Sequence, residues 1–142
     1  MSEFSITSPD FEEGAEIPKK FGYKFENQQP QIDFKNIPDG TKIIALVMDD
    51  PDAMGAVGKV WVHWLEYHDI NDITTIIQGK NDFGEIGYGG PAPPDKRHTY
   101  IFKAHALDTK LDLKEGYSKQ ELEDAMEGHI LAEAKLTGTF AP

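Results

Sequence analysis

The chain has 142 residues, 39% of them apolar and 11% aromatic, with nine prolines; that suits a folded, loop-rich protein with a real core and excludes a disordered one. A formal net charge of -11 repels nucleic-acid phosphates and anionic membrane faces, so no nucleic-acid partner is expected and any bound anion must be held by a local pocket against the global field. The absence of cysteine removes disulfides, thiolate catalysis and Cys-ligated zinc together.

Phe4–Thr7 and Gln31–Phe34 alternate apolar and polar residues and read as short strands. Thr41–Met48 is almost wholly apolar after Lys42, the pattern of a strand buried on both faces. Val60–Tyr67 is a second rich strand, Thr74–Ile77 a short β-branched one, His98–Leu107 a third long one, and Leu136–Phe140 closes the set. Turn signals separate them at Pro38-Asp39-Gly40, Asp50-Pro51-Asp52, Gly87 to Gly90 and Pro93-Pro94. Between the last two strands, Ser118 and Glu121 form a capping box, and Leu122, Ala125, Met126 and Ile130 recur at helical spacing with His129 on the same stripe. The expectation is a mainly β chain: an antiparallel, Greek-key-like β-sandwich with one or two peripheral helices. No linker or repeat divides it, so residues 1–142 read as one domain. The first residues, MSEFSITSPDF, show neither a basic nor an apolar leader region, and no run approaches the roughly 18 apolar residues of a bilayer span. A cytoplasmic location without stable membrane insertion is expected.

The stretch LVMDDPDAMGAVGKVWVHWLEY holds the chemistry. Alternation places Trp61 and His63 on one strand face and His98 and Tyr100 on one face of another. If both faces turn the same way, two imidazoles, an indole and a phenol converge, a donor set that suits a small anion. Asp50 and Asp52, at the strand end, have two readings: a turn whose Asx side chains bond nearby backbone, or carboxylates that orient an imidazole. His63 likewise reads either as a satisfied core residue or as a ligand contact, and His129 as helix packing. GEIGYGGPAPP, from Gly84 to Pro94, is either an ordered connector or a stiff pocket wall. Asp50, Asp52, His63 and His98 have metal-binding atoms, but no His-x-His or Glu-x-x-His pairing accompanies them, so neither a metal nor a cofactor is expected. Nucleophile-elbow, zincin and phosphate-loop motifs are all missing.

Taken in order, DDPDA, WVHW, GKNDFG, YGGPAPP, HTY and GHILAEAKLTGTF resemble the phosphatidylethanolamine-binding protein family, more closely its bacterial and archaeal, Raf kinase inhibitor-like branch. The resemblance runs from about Phe4 to Phe140. It implies a β-sandwich with a small preformed anion pocket whose ligand-binding residues correspond to Asp50, Asp52, Trp61, His63, Gly90, Pro91, Pro94, His98 and Tyr100. Two positions depart from the family pattern. Met54 stands where the family usually has proline, and Thr99 where it usually has arginine; the loss of that arginine is expected to remove an ion pair, with Arg97 as a partial substitute.

The reading that follows is a non-enzymatic binding protein for a small anion or phosphorylated ligand, one that regulates a partner such as a kinase or protease. Two rivals stand beside it: a hydrolase using the His/Asp cluster as general acid and base, and an inhibitor acting through a surface independent of the pocket.

Overall fold

The computed structural model describes residues 3–142, apart from the side chain of residue 73. Seven strands form two antiparallel sheets. β1 (Ser5–Thr7) and β2 (Asp33–Lys35) pair as a small ribbon. β3 (Ile43–Asp50), β4 (Trp61–Asp69), β5 (Asp72–Gln78), β6 (His98–Leu107) and β7 (Ile130–Phe140) make a five-stranded sheet in the order β5-β4-β3-β6-β7. β3, β4 and β5 follow one another as antiparallel neighbours. The chain then returns through residues 79–97 to lay β6 against the free side of β3, which is the Greek-key order.

The large sheet is covered on both faces, which is why all eight residues of β3 are buried. On one face Ile44, Leu46, Met48, Trp64, Tyr100 and Phe102 meet Phe4, Ile6, Phe11, Ile17 and Phe21, at the first ribbon strand and along the segment that joins it to the second. On the other, Ile43, Ala45, Val47, Leu65 and Tyr67 meet Tyr117, Leu122 and Met126. Each fully buried large apolar side chain contributes about 1.5–3 kcal/mol of transfer free energy, so two such layers hold the sheet firmly.

The second cover is α2 (Lys119–Met126), with Ser118 as its N-cap and both bonds of the expected capping box present. The helix is shorter than the stripe to Ile130 implies. It stops at Glu127, and Gly128, at φ +81°, redirects the chain. Ile130 to Phe140 then pairs with β6 along its whole length, from Leu107↔Ile130 to His98↔Phe140. ILAEAKL has good helix formers, but a ten-residue partner strand offers a ladder, and tertiary pairing overrides intrinsic preference. His129 is therefore outside the helix; it is exposed, with Nδ1 2.9 Å from Asp108 Oδ1. A second difference lies after β3. The stretch between the expected strands, marked in the sequence only by the Asp50-Pro51-Asp52 turn signal, contains a short helix, α1 (Ala53–Val57), ended by Gly58 at φ +79°.

Candidate functional site

The ends of β3, β4 and β6 lie together, and α1 and the 79–97 segment close over them. Between them is a cavity of about 230 Å³ lined by Asp50, Ala53, Ala56, Val57, Trp61, His63, Phe83, Ala92, Pro94 and His98. Its walls are apolar, and its polar groups are few and convergent, the usual character of a small-ligand site.

His63 reaches this cavity because of a fault in the sheet. Met48 pairs with Trp64 but Asp49 pairs with Val62, so His63 is the extra residue of a β-bulge. The bulge lets Leu65 and Val62 both face α2 while His63 turns the other way, toward Tyr100, whose ring centroid is 5.2 Å away. Strict alternation would have left His63 on the side of Leu65 and Tyr67. The ring is then pinned: His63 Nδ1–H donates to Gly89 O at 2.6 Å, and Gly89 N–H donates back to His63 O at 2.8 Å. Burial pushes the imidazole below its ordinary pKa, against the opposing pull of the Gly89 bond and the Asp50 charge. His63 is thus neutral at pH 7, with Nε2 as a lone-pair acceptor.

His98 has the opposite chemistry. The residue is 1% exposed and its ring lies between two carboxylates: Nδ1–H donates to Asp50 Oδ2 at 2.6 Å, and Nε2–H donates to Asp95 Oδ1 at 2.7 Å. Carboxylates only accept, so both nitrogens must carry protons and the ring is an imidazolium. Burial lowers its pKa, but the bonds to Asp50 and Asp95 and their charges outweigh that, and the net shift is upward. Burial also raises the pKa of Asp95, yet its bond to His98 brings it below the ordinary value. Tyr100 packs behind this pair. Its hydroxyl is buried without a hydrogen-bond partner among the described residues, as are Asp50 Oδ1 and Trp61 Nε1. Burial and the Asp50 charge push the Tyr100 phenol strongly upward, so it stays protonated.

The expected site residues divide into two groups. Asp50, Trp61, His63, Pro94 and His98 line the cavity, with Tyr100 directly behind. Asp52, Gly90 and Pro91 do not line it. Asp52 is exposed and accepts from Thr99 N–H at 2.8 Å, which ties the turn to β6. Gly90 is a packing position, its N–H donating to Asn27 Oδ1 at 2.7 Å, and Pro91 O accepts from Tyr23 N–H. Arg97 pairs with Glu16 at 3.1 Å, away from the aspartate turn, so it does not replace the missing arginine. Met54 lies on the outer side of α1, 54% exposed. Five lining residues are not among those expected from sequence: Ala53, Ala56 and Val57 on α1, Phe83, and Ala92. Asp95 was also passed over, although its position three residues before His98 in a stiff loop was the available signal. Among the described residues, no group of three or more His, Cys, Asp or Glu side chains is placed to hold a metal ion.

A match to the family described as phosphatidylethanolamine-binding protein covers residues 7–141. The chain belongs to the phosphatidylethanolamine-binding protein family. Its relatives place it in the bacterial and archaeal branch. The UPF0098 protein of Chlamydia muridarum is 41% identical over 95% of this chain and 97% of its own length, and that of Methanothermobacter thermautotrophicus is 40% identical over 92% and 93%. Among solved structures, the phosphatidylethanolamine-binding protein homologue CT736 of Chlamydia trachomatis superposes with a TM-score of 0.87 at 37% identity, covering 98% of this chain and 97% of that one. YbcL of E. coli, a member of the same family, superposes with a TM-score of 0.86 at 29% identity, covering 98% of both. Membership in the phosphatidylethanolamine-binding protein family supports a binding-protein kind of function. No helix among the described residues is long and apolar enough to cross a membrane.

Proposed function

We propose that the cavity binds a small oxyanion, either free or as the phosphate of a larger ligand, and that the chain acts by binding rather than by turnover. The observation that supports this most is the state of His98. A buried imidazolium points Nε2–H toward the cavity edge, where it already holds a carboxylate oxygen at 2.7 Å. A charge-assisted donor of this kind suits phosphate, sulfate or carboxylate ligands. Asp50 orients the ring through Nδ1, Trp61 and Pro94 wall the site, and Tyr100 backs the pair. His63 supplies a second donor when Nε2 is protonated. None of the lining residues is a Ser, Thr, Cys or Lys, so a hydroxyl, thiol or amine nucleophile does not line the site.

Titration calorimetry tests this with sulfate, whose charge is constant over the range used, and with phosphoethanolamine. Sulfate binds more tightly at about pH 5.5 than at about pH 7.5, because His63, with its lowered pKa, gains its proton only on the acid side of about 6.5. His98→Gln abolishes binding. Sulfate affinity unaffected by that substitution would defeat the proposal.

One observation favours a second reading. His63 is a neutral imidazole fixed through Nδ1, with Nε2 free of a hydrogen-bond partner among the described residues, as a general base must be. Turnover of a generic phosphate or carboxylate ester that disappears in His63→Ala would establish a hydrolase.

A further inference from the structure

The bond between His98 and Asp95 has a consequence for how any anion enters. Asp50, Asp95 and the His98 imidazolium together carry one net negative charge, and His63 beside them is neutral. An oxyanion approaching this arrangement meets repulsion, and the one charged donor is already taken. Asp50 cannot yield the donor: it is 3% exposed and sits on the sheet. Asp95 can. Its side chain is 43% exposed, and it lies in the run Pro94–Arg97, all four residues of which are exposed. Rotation of that side chain into water costs the sheet nothing. It leaves Asp50 and His98 as a neutral pair with Nε2–H unpaired in a buried setting, which is costly until another acceptor arrives.

We propose that Asp95 is an internal occupant of the ligand position: its carboxylate holds His98 Nε2 in the empty site and is displaced when a phosphate-type oxyanion binds there. This rests on the oxyanion reading above and adds the residue that sets its affinity. Asp95 keeps the imidazolium charged and ready between ligands, and sets a threshold so that only an acceptor better than a tethered carboxylate remains bound. Weak monocarboxylates at low concentration are thereby excluded.

The test is calorimetric titration of the full chain with inorganic phosphate, at fixed pH and ionic strength, for the unaltered protein, Asp95→Ala and Asp95→Asn. Removing the competitor frees a charged hydrogen bond, so both variants bind phosphate more tightly, by about tenfold or more for Asp95→Ala. Asparagine, which still offers a neutral acceptor, falls between the two. Asp95→Ala is also stabilised against heat by added acetate or formate more than the unaltered protein is, because a free carboxylate refills the vacated position. A clamp with a purely structural role shows neither effect. If the unaltered protein binds phosphate and both folded variants bind it equally or less well, Asp95 is not an occupant of the ligand position, while the oxyanion reading stands. If none of the three binds phosphate even at millimolar concentrations, both are overturned. Binding by the variants alone supports both.

Discussion

Asp50→Asn isolates the charge that holds His98 while keeping its shape. In the unaltered protein a ring with no exposed side-chain surface bonds Asp50 at 2.6 Å and Asp95 at 2.7 Å. Asparagine turns a bond between two charged groups into one from the imidazolium to a neutral acceptor, which is weaker. The expected cost is about 1.5 kcal/mol, or a fall in Tm of about 4 °C. Asp50→Ala removes the acceptor altogether and leaves Nδ1–H buried, so it costs about 3 kcal/mol or more. The pH dependence follows from the sign of the shift. The pKa of His98 is raised by folding, so its pairing energy is fully present below about pH 6.5 and fades as pH rises through the folded value. Asp50→Asn therefore costs more at about pH 6 than at about pH 9.5. His63 shifts the other way: it penalises the folded state as pH falls below about 6.5, and because the Asp50 charge holds its pKa up, the variant carries the larger penalty, which acts in the same direction as the loss at His98. The folded-state pKa of Asp95 is depressed, so its own contribution is constant across this range. Urea unfolding of both proteins at the two pH values measures the difference. An equal cost at both, or a larger cost at the alkaline one, refutes the assignment of His98 as a clamped imidazolium.

Gly90→Ala should be among the most damaging single changes, costing about 3 kcal/mol or more, because a Cβ there lies 1.9 Å from Phe21 O and 2.9 Å from Tyr23 N, both backbone. Gly55→Ala, a helical glycine with nothing within 4 Å, should instead stabilise by about 0.5–1 kcal/mol; urea midpoints compare the two. Ser118→Ala removes half of the capping box and should cost about 1 kcal/mol by the same measurement. Lys119→Met strips Asp49 Oδ2 of its partner at 2.9 Å while Asp49 is 5% exposed, and should cost about 2 kcal/mol; adding Asp49→Asn should recover part of that loss in a double-mutant cycle.

The seven strands were legible because their signals were local: uninterrupted apolar runs, alternation, and turn residues between them. Two segments show where local signals end. The helical stripe was drawn to Ile130 and the last strand only from Leu136, and it is the long partner, β6, that makes all of Ile130–Phe140 a strand. α1 is five residues long, too short to show periodicity, and is formed between a proline turn and Gly58. The site was legible in part for the same reason. His98 and Tyr100 share a face by simple alternation, since β6 is regular through that region. His63 reached the right side through a bulge that period-two reasoning cannot see.

The acids at and just beyond the end of β3 show most clearly how three neighbouring carboxylates acquire three different jobs. Asp49 points toward α2 and pairs with Lys119 on one side of the sheet. Asp50, one residue on, points to the other side and orients His98. Asp52, beyond the proline, accepts the backbone N–H of Thr99 and fastens the turn to β6. The contact to the histidine and the contact to the turn backbone therefore fall to different residues. A strand end is the one place where this is possible, because consecutive side chains face opposite layers while the backbone is still held in register. The fourth acid of the cluster, Asp95, comes from a loop rather than a strand. The exchange proposed for Asp95 rests on that difference: Asp50 is 3% exposed on the sheet, whereas the Asp95 side chain is 43% exposed on a loop.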